Sequence, residues 1–289
     1  MKPSKTLRVF FYLFIFSLLI LCIINGCSKG QEKSSPNSGS EKSNKVDNLL
    51  RKLEEEVNSL ITDLEGEFFK KIIPAEQGQQ SQSKQGQQGS NKDKEQSKES
   101  QGQSKQGQGG GGQKQEPDWE KFEKKVTVIH NIWDDFRGEA AMQGFGEEEL
   151  DTFNDKLNQL TMMFTQKDLY GAIVSTNDLY GILLRYYKDP KEKTAGPAKK
   201  TLFYVRSATY RGLKGSFEES QKDLLEAVKS WEYAKAVVED PVLNKKTEFT
   251  IKDLIEALKA RDPNLIKIKF MIAQKNLEKA IEKAEKAKS

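Results

Sequence analysis

Residues 119–136 read WEKFEKKVTVIHNIWDDF. Trp119, Phe122, Val126, Ile129, Trp133 and Phe136 step three, four, three, four, three along this stretch, the spacing that lines one face of a helix and forms a bundle seam. Pro117 and Asp118 mark its start. Beyond a turn at Gly144-Phe145-Gly146, Leu150, Phe153, Leu157, Leu160 and Phe164 repeat the pattern. Two such helices joined by a short Gly-rich turn should lie antiparallel. A third run through Leu169, Ile173, Tyr180, Leu183 and Tyr187 stops at Asp189-Pro190. No segment sustains the period-two alternation of a strand, so the fold class is all-α.

The remaining punctuation gives the rest of the domain. Residues 188–200 form a loop with two prolines, and a helix is expected from about Ala198 to Leu213 through Leu202, Val205 and Thr209. Ser216 followed by Glu219 has the form of a capping box, opening a long helix through Phe217, Leu224, Val228, Trp231 and Val238 that Asp240-Pro241 ends. A short helix near Ile251 to Ala260 and a last one after Asp262-Pro263 follow. The Ala, Lys and Glu of the final stretch suggest that its end projects into solvent. Residues 118–289 are long enough to bury a sizeable core alone.

Upstream the composition changes sharply. From Gln77 to Gln115 every residue is Gln, Gly, Ser, Lys, Asn, Asp or Glu, none of which builds a core. The segment 74–117 reads as a flexible linker spanning roughly 35 Å by the random-coil rule. Before it, Val46, Leu50, Leu53, Val57, Leu60 or Ile61, Leu64 and Phe68 recur at three and four, which makes 46–73 an amphipathic helix. Its apolar stripe has to be buried against the main domain, another copy of the chain, or a partner. Residues 27–45 carry no large apolar side chain before Lys45 and read as a disordered stalk.

The first residues supply the location. Lys2, Lys5 and Arg8 precede an apolar run from Val9 to Ile24 broken only by Ser17, and Gly26-Cys27 follows. A spanning helix needs about 20 apolar residues, whereas a signal core is shorter and ends at a small residue. Residues 1–26 are therefore expected to be removed and Cys27 to be lipidated. The fold expected is a C-terminal helical bundle preceded by a lipidated, largely disordered N-terminal region, with a lipid anchor as its sole membrane contact.

Composition narrows the function. Cys22 and Cys27 are the two cysteines and His130 the single histidine, so neither a thiolate metal site nor a nucleophile with a positioned base is at hand. His130 reads as a helix-surface residue. The glycines of 107–112 lie among glutamines without a preceding strand and cannot cradle a phosphate. No cofactor, metal or enzymatic activity is expected. The formal charge of +4 falls to +1 once Lys2, Lys5 and Arg8 are removed, which leaves no basic excess for nucleic acid.

Charge is nonetheless concentrated. Arg185, Lys188, Lys191, Lys193, Lys199, Lys200, Arg206, Arg211 and Lys214 are opposed over that span only by Asp189 and Glu192, and Tyr186, Tyr187, Phe203, Tyr204 and Tyr210 are interleaved. Arg and Tyr at one surface are the residues of binding hot spots, and positive charge speeds association with acidic partners. The partner-binding candidates are Arg185, Lys188, Lys199, Lys200, Arg206, Tyr210 and Arg211.

The lipobox, the Gln/Gly/Ser tether, Trp133-Asp134-Asp135-Phe136-Arg137 and Leu184-Arg185-Tyr186-Tyr187-Lys188-Asp189-Pro190 together resemble the Borrelia fibronectin-binding surface lipoproteins. The resemblance covers residues 118–240. It implies an outer-membrane, surface-exposed lipoprotein whose helical domain inhibits the classical complement pathway by binding the initiating protease C1r. The second expectation is an adhesin for fibronectin or a sulfated glycosaminoglycan. Fibronectin binding in that family resembles strand addition by a disordered segment, in which side chains fill pockets along a sheet edge. Residues 77–115 supply no apolar or aromatic side chain for such pockets, which leaves 31–73 for that role.

Overall fold

The computed structural model describes residues 38–73, 116–187 and 195–286. The signal segment, Cys27, most of the stalk, the linker proper and Lys188 lie outside these. The chain divides after residue 42. Of the first unit only residues 38–42 are described, as helix, and all that follows concerns the second, Ser43–Ser289.

Among the described residues there are eight helices and no strand: α1 Ser38–Ile72, α2 Trp119–Met142, α3 Glu147–Thr165, α4 Leu169–Tyr186, α5 Gly196–Leu213, α6 Phe217–Ala234, α7 Pro241–Ala260 and α8 Pro263–Lys286. The protein is all-α. None of these helices is long and apolar enough to cross a membrane.

Aspartates open four of them. The side chains of Asp118, Asp168, Asp240 and Asp262 each accept a hydrogen bond from the backbone N–H three residues on, at Lys121, Gly171, Leu243 and Leu265. Each satisfies one of the donors that a helix start leaves unpaired. Asp240 with Pro241 at the first helical position is therefore a start and not a stop: α6 ends at Ala234, short of Val238, and α7 runs 20 residues rather than beginning near Ile251. Ser216 holds the N-cap position of α6, but its side chain makes no capping bond, so the expected capping box is not formed.

Three further expectations are corrected. α1 begins at Ser38 rather than after residue 45, because its opening turns are polar and the apolar period that reveals a helix starts only at Val46. The end of α8 does not project into solvent: Leu277, Ala280 and Ala284 are buried, the two alanines letting the helix lie close to its neighbours. Val228, read as part of the α6 stripe, is exposed.

The predicted seam of α2 is buried from Phe122 to Phe136, with Trp119 half-buried at its start and Ala140 extending it by one turn. Its rings meet those of α3 and α4, with Trp133 4.2 Å from Phe153 and Phe136 5.5 Å from Tyr186. Contacts of Arg137 with Asp151 and of His130 with Thr161 show α2 and α3 to be antiparallel, joined through Gly144 at φ +84°. α4 and α5 are buried on more than one face and form the middle of the bundle.

α1 belongs to this bundle. Val46, Leu50, Leu53, Val57, Leu60, Ile61, Leu64, Phe68 and Phe69 are all buried, with Phe68 stacked 6.1 Å from Tyr170 and Phe69 5.7 Å from Phe270. Lys45 meets Glu139 near the end of α2, and Asp63 meets Lys121 and Lys125 near its beginning. α1 and α2 are thus antiparallel neighbours. The residues 118–289 that the sequence offered as a self-sufficient domain share one core with α1.

Candidate functional site

The seven candidate residues do not form one surface. Lys199, Arg206 and Tyr210 lie along one face of α5 at spacings of seven and four, and that face is turned inward onto α1. Arg206 is 2 % exposed and Tyr210 is fully buried. On α1, Glu54, Asn58 and Glu65 recur at four and seven along the flank of the apolar stripe. The two helices run in parallel, so the series meet rung by rung.

At the first rung Lys199 Nζ lies 2.8 Å from Glu54 Oε2 and 2.8 Å from Glu285 Oε1 of α8, while the Tyr187 hydroxyl donates to Glu54. At the second, Arg206 donates to Asn58 Oδ1 at 2.8 Å and its Nε stands 3.6 Å from Glu65 Oε1. Its guanidinium also sits over the Tyr180 ring at 5.5 Å. At the third, the Tyr210 hydroxyl donates to Glu65 Oε1 at 2.5 Å and Gln274 donates to Glu65 Oε2 at 3.3 Å.

Burial governs the protonation here. Loss of water pushes the Glu65 carboxyl above its usual range, and Arg206, Tyr210 and Gln274 pull it only part of the way back. Burial is the largest influence on Arg206 and lowers it, but the charges of Glu65, Tyr210, Tyr180 and Glu278 together outweigh burial and keep the guanidinium protonated. The Tyr180, Tyr187 and Tyr210 hydroxyls are raised, first by burial and then by nearby carboxylates. They are fixed as donors. Such a layer adds little net stability, because desolvating the charges cancels much of their attraction.

Arg206, Tyr210 and Lys199 are therefore corrected from partner-binding candidates to internal residues holding α1. Sequence reasoning missed Glu54, Asn58 and Glu65 because each is an ordinary polar residue of a charged helix. Their spacing on the stripe's flank was the available signal.

Arg185 and Lys200 are exposed. Lys200 Nζ stands 5.9 Å from the centre of the Tyr204 ring, and Arg185 is near enough for its charge to act on the Tyr204 hydroxyl, which burial raises. Phe203, 5.0 Å from Tyr204 between ring centres, completes this outer face. Gly181, one turn before Arg185, lets the Phe203 ring approach α4: a Cβ there would stand 2.7 Å from Cε2. Arg211, seven residues after Tyr204 and so two turns further along that side of α5, is half-buried and paired with Asp223 at 2.8 Å.

His130 is half-buried, hydrogen-bonded to Thr161 at 2.9 Å and lowered by burial. No group of three metal-ligating side chains occurs among the described residues. A cleft of about 430 Å³ between α7 and α8 is lined by Lys246, Lys279 and Lys283, with Asp240 and Glu282 beside them. Lys283 is paired with Asp240 at 3.1 Å.

In comparisons with known proteins, no family model, curated protein or solved structure matches this chain.

Proposed function

We propose that this chain is a lipid-anchored surface protein whose helical bundle binds a host protein, with the complement protease C1r as the first candidate. The observation carrying the reading is the outer face of α4 and α5, where exposed Arg185 and Lys200 flank the half-buried Tyr204. Cations beside an aromatic ring at a surface are the composition of an interface centre. A protease that cleaves after Arg or Lys has an acidic specificity pocket, which a side chain such as Arg185 complements. The leader ending at Cys27 supports the anchor, and its amphipathic neighbour α1 is accounted for by the bundle itself.

The test is direct binding of residues 28–289, which include every described helix, to purified C1r. Saturable binding below micromolar concentration, weakened by Arg185→Ala with Lys200→Ala, is expected. No binding at micromolar C1r overturns the reading. Parallel titrations with heparin at two salt concentrations assign the adhesin alternative instead if affinity for heparin is the stronger and falls steeply with salt. Loss of radiolabelled fatty acid from the Cys27→Ala chain tests the anchor.

A further inference from the structure

We propose that α1 is an exchangeable helix, and that two copies of this chain associate when α1 of each fills the α4, α5 and α8 groove of the other. The groove is specific for this helix. Lys199, Arg206 and Tyr210 on one side and Glu54, Asn58 and Glu65 on the other match in sign and spacing over three rungs. An exchanged α1 repeats every one of these contacts, so association needs no new surface.

The connection provides the means. α1 and α2 are antiparallel neighbours whose adjoining ends meet, as Asp63 with Lys121 and Lys125 shows. Antiparallel neighbours in a bundle are joined by about two to eight residues. Here residues 74 to 118 intervene, and from Gln77 to Gln115 a composition of Gln, Gly, Ser, Lys, Asn, Asp and Glu offers nothing to a core. With α1 docked at home, that length adds no reach between the ends it joins. A random coil of that many residues has a root-mean-square span of roughly 35–40 Å, comparable with the length of the 24-residue α8, about 36 Å at 1.5 Å per residue. That is enough to reach a neighbouring bundle.

Length also loosens the home contact. The effective concentration of a tethered element is in the millimolar range for short flexible linkers and falls with about the −3/2 power of length beyond the optimum. A crowded second copy then competes. α1 is the first helix of the bundle, so its departure disturbs no connection between the other seven.

The test uses two forms of residues 28–289, one with Glu65→Arg and one with Arg206→Glu. Each form places like charges at its own second rung. Mixed, both exchanges restore an Arg opposite a Glu, one with the charges reversed and one as in the native chain. Light scattering should give about twice the monomer mass for the mixture and a 1:1 composition by mass spectrometry, with recovery of any helix signal that the single forms lack. A mixture that stays monomeric, or fails to regain helix where the separate forms had lost it, overturns the proposal. The unaltered chain gives a second reading independent of those variants. Refolded at millimolar concentration and then diluted, it should retain a slowly decaying dimer, and a monomer at every concentration counts against exchange. Neither outcome bears on C1r binding, which is read on a different face.

Discussion

Arg206 Nε on α5 and Glu65 Oε1 on α1 stand 3.6 Å apart inside the bundle, their helices brought together across the whole linker and three intervening helices. Because the guanidinium is 2 % exposed, its counterion is part of the fold. Deleting residues 28–115 would strip Arg206 of Asn58 and Glu65 together and uncover the groove that nine apolar side chains of α1 fill. Each of those side chains is worth about 1.5–3 kcal/mol on burial, so the loss exceeds the ordinary stability of a domain. The fragment 116–289 should show no cooperative urea transition by circular dichroism, while 28–289 does.

The polar rung and the apolar stripe contribute differently, and a double-mutant cycle separates them. Arg206→Ala leaves the Glu65 carboxylate buried with Tyr210 and Gln274 alone, at a cost of about 3–5 kcal/mol. Replacing Arg206 and Glu65 together by Met removes both charges and keeps volume, and the loss should then be under about 1.5 kcal/mol. Chemical denaturation of the unaltered chain, Arg206→Met, Glu65→Met and the double Met variant gives the coupling directly. A double variant as unstable as Arg206→Ala would show that the rung itself, and not an orphaned charge, holds α1.

Six of the helices could be placed closely from apolar spacing, since burial of one face writes a period of 3.6 into the sequence. The buried stripe of α1, from Val46 to Phe68, was legible for the same reason, though what it packs against was not. Periodicity shows which side chains seek cover and is silent on which groove covers them. The same limit misplaced Lys199, Arg206 and Tyr210. A basic run with aromatics reads as a surface until the acidic helix opposite is known, and that helix precedes it by the whole linker. Asp240-Pro241 misled differently, because an aspartate and a proline that read as the end of one helix are the N-cap and first turn of the next, α6 having already ended at Ala234.

The outer face of α4 and α5 predicts an effect on binding without one on stability. Arg185→Ala and Lys200→Ala remove exposed side chains and should alter unfolding free energy by no more than about 0.5 kcal/mol each. If Arg185 is an anchor of the interface, its loss costs on the order of 2 kcal/mol of binding energy, roughly thirtyfold in Kd. Arg211→Ala, two turns along α5 from Tyr204 and with its side chain already committed to Asp223, should weaken binding less than Arg185→Ala does. Calorimetric titration of the three variants against C1r checks the division.

Asp223 gives the bundle a pH dependence at mild acidity. Burial against α5 pushes its carboxyl up to about 6, partly opposed by the charge and hydrogen bond of Arg211, and raised further by Asp178 and Glu219. A carboxyl raised on folding binds its proton more tightly in the native state, so its stabilising effect is complete below its ordinary value of 3.8 and is lost as pH climbs through about 6. The size is on the order of 1 kcal/mol, since water reaches Arg211 and screens the site. The Asp223→Asn chain carries no proton to exchange there. Its stability should therefore change less than that of the unaltered chain between pH 4 and pH 7, with the difference between the two appearing over that interval. Parallel curves for the two chains across it, measured by urea unfolding, would show that Asp223 titrates near its ordinary value in the folded bundle.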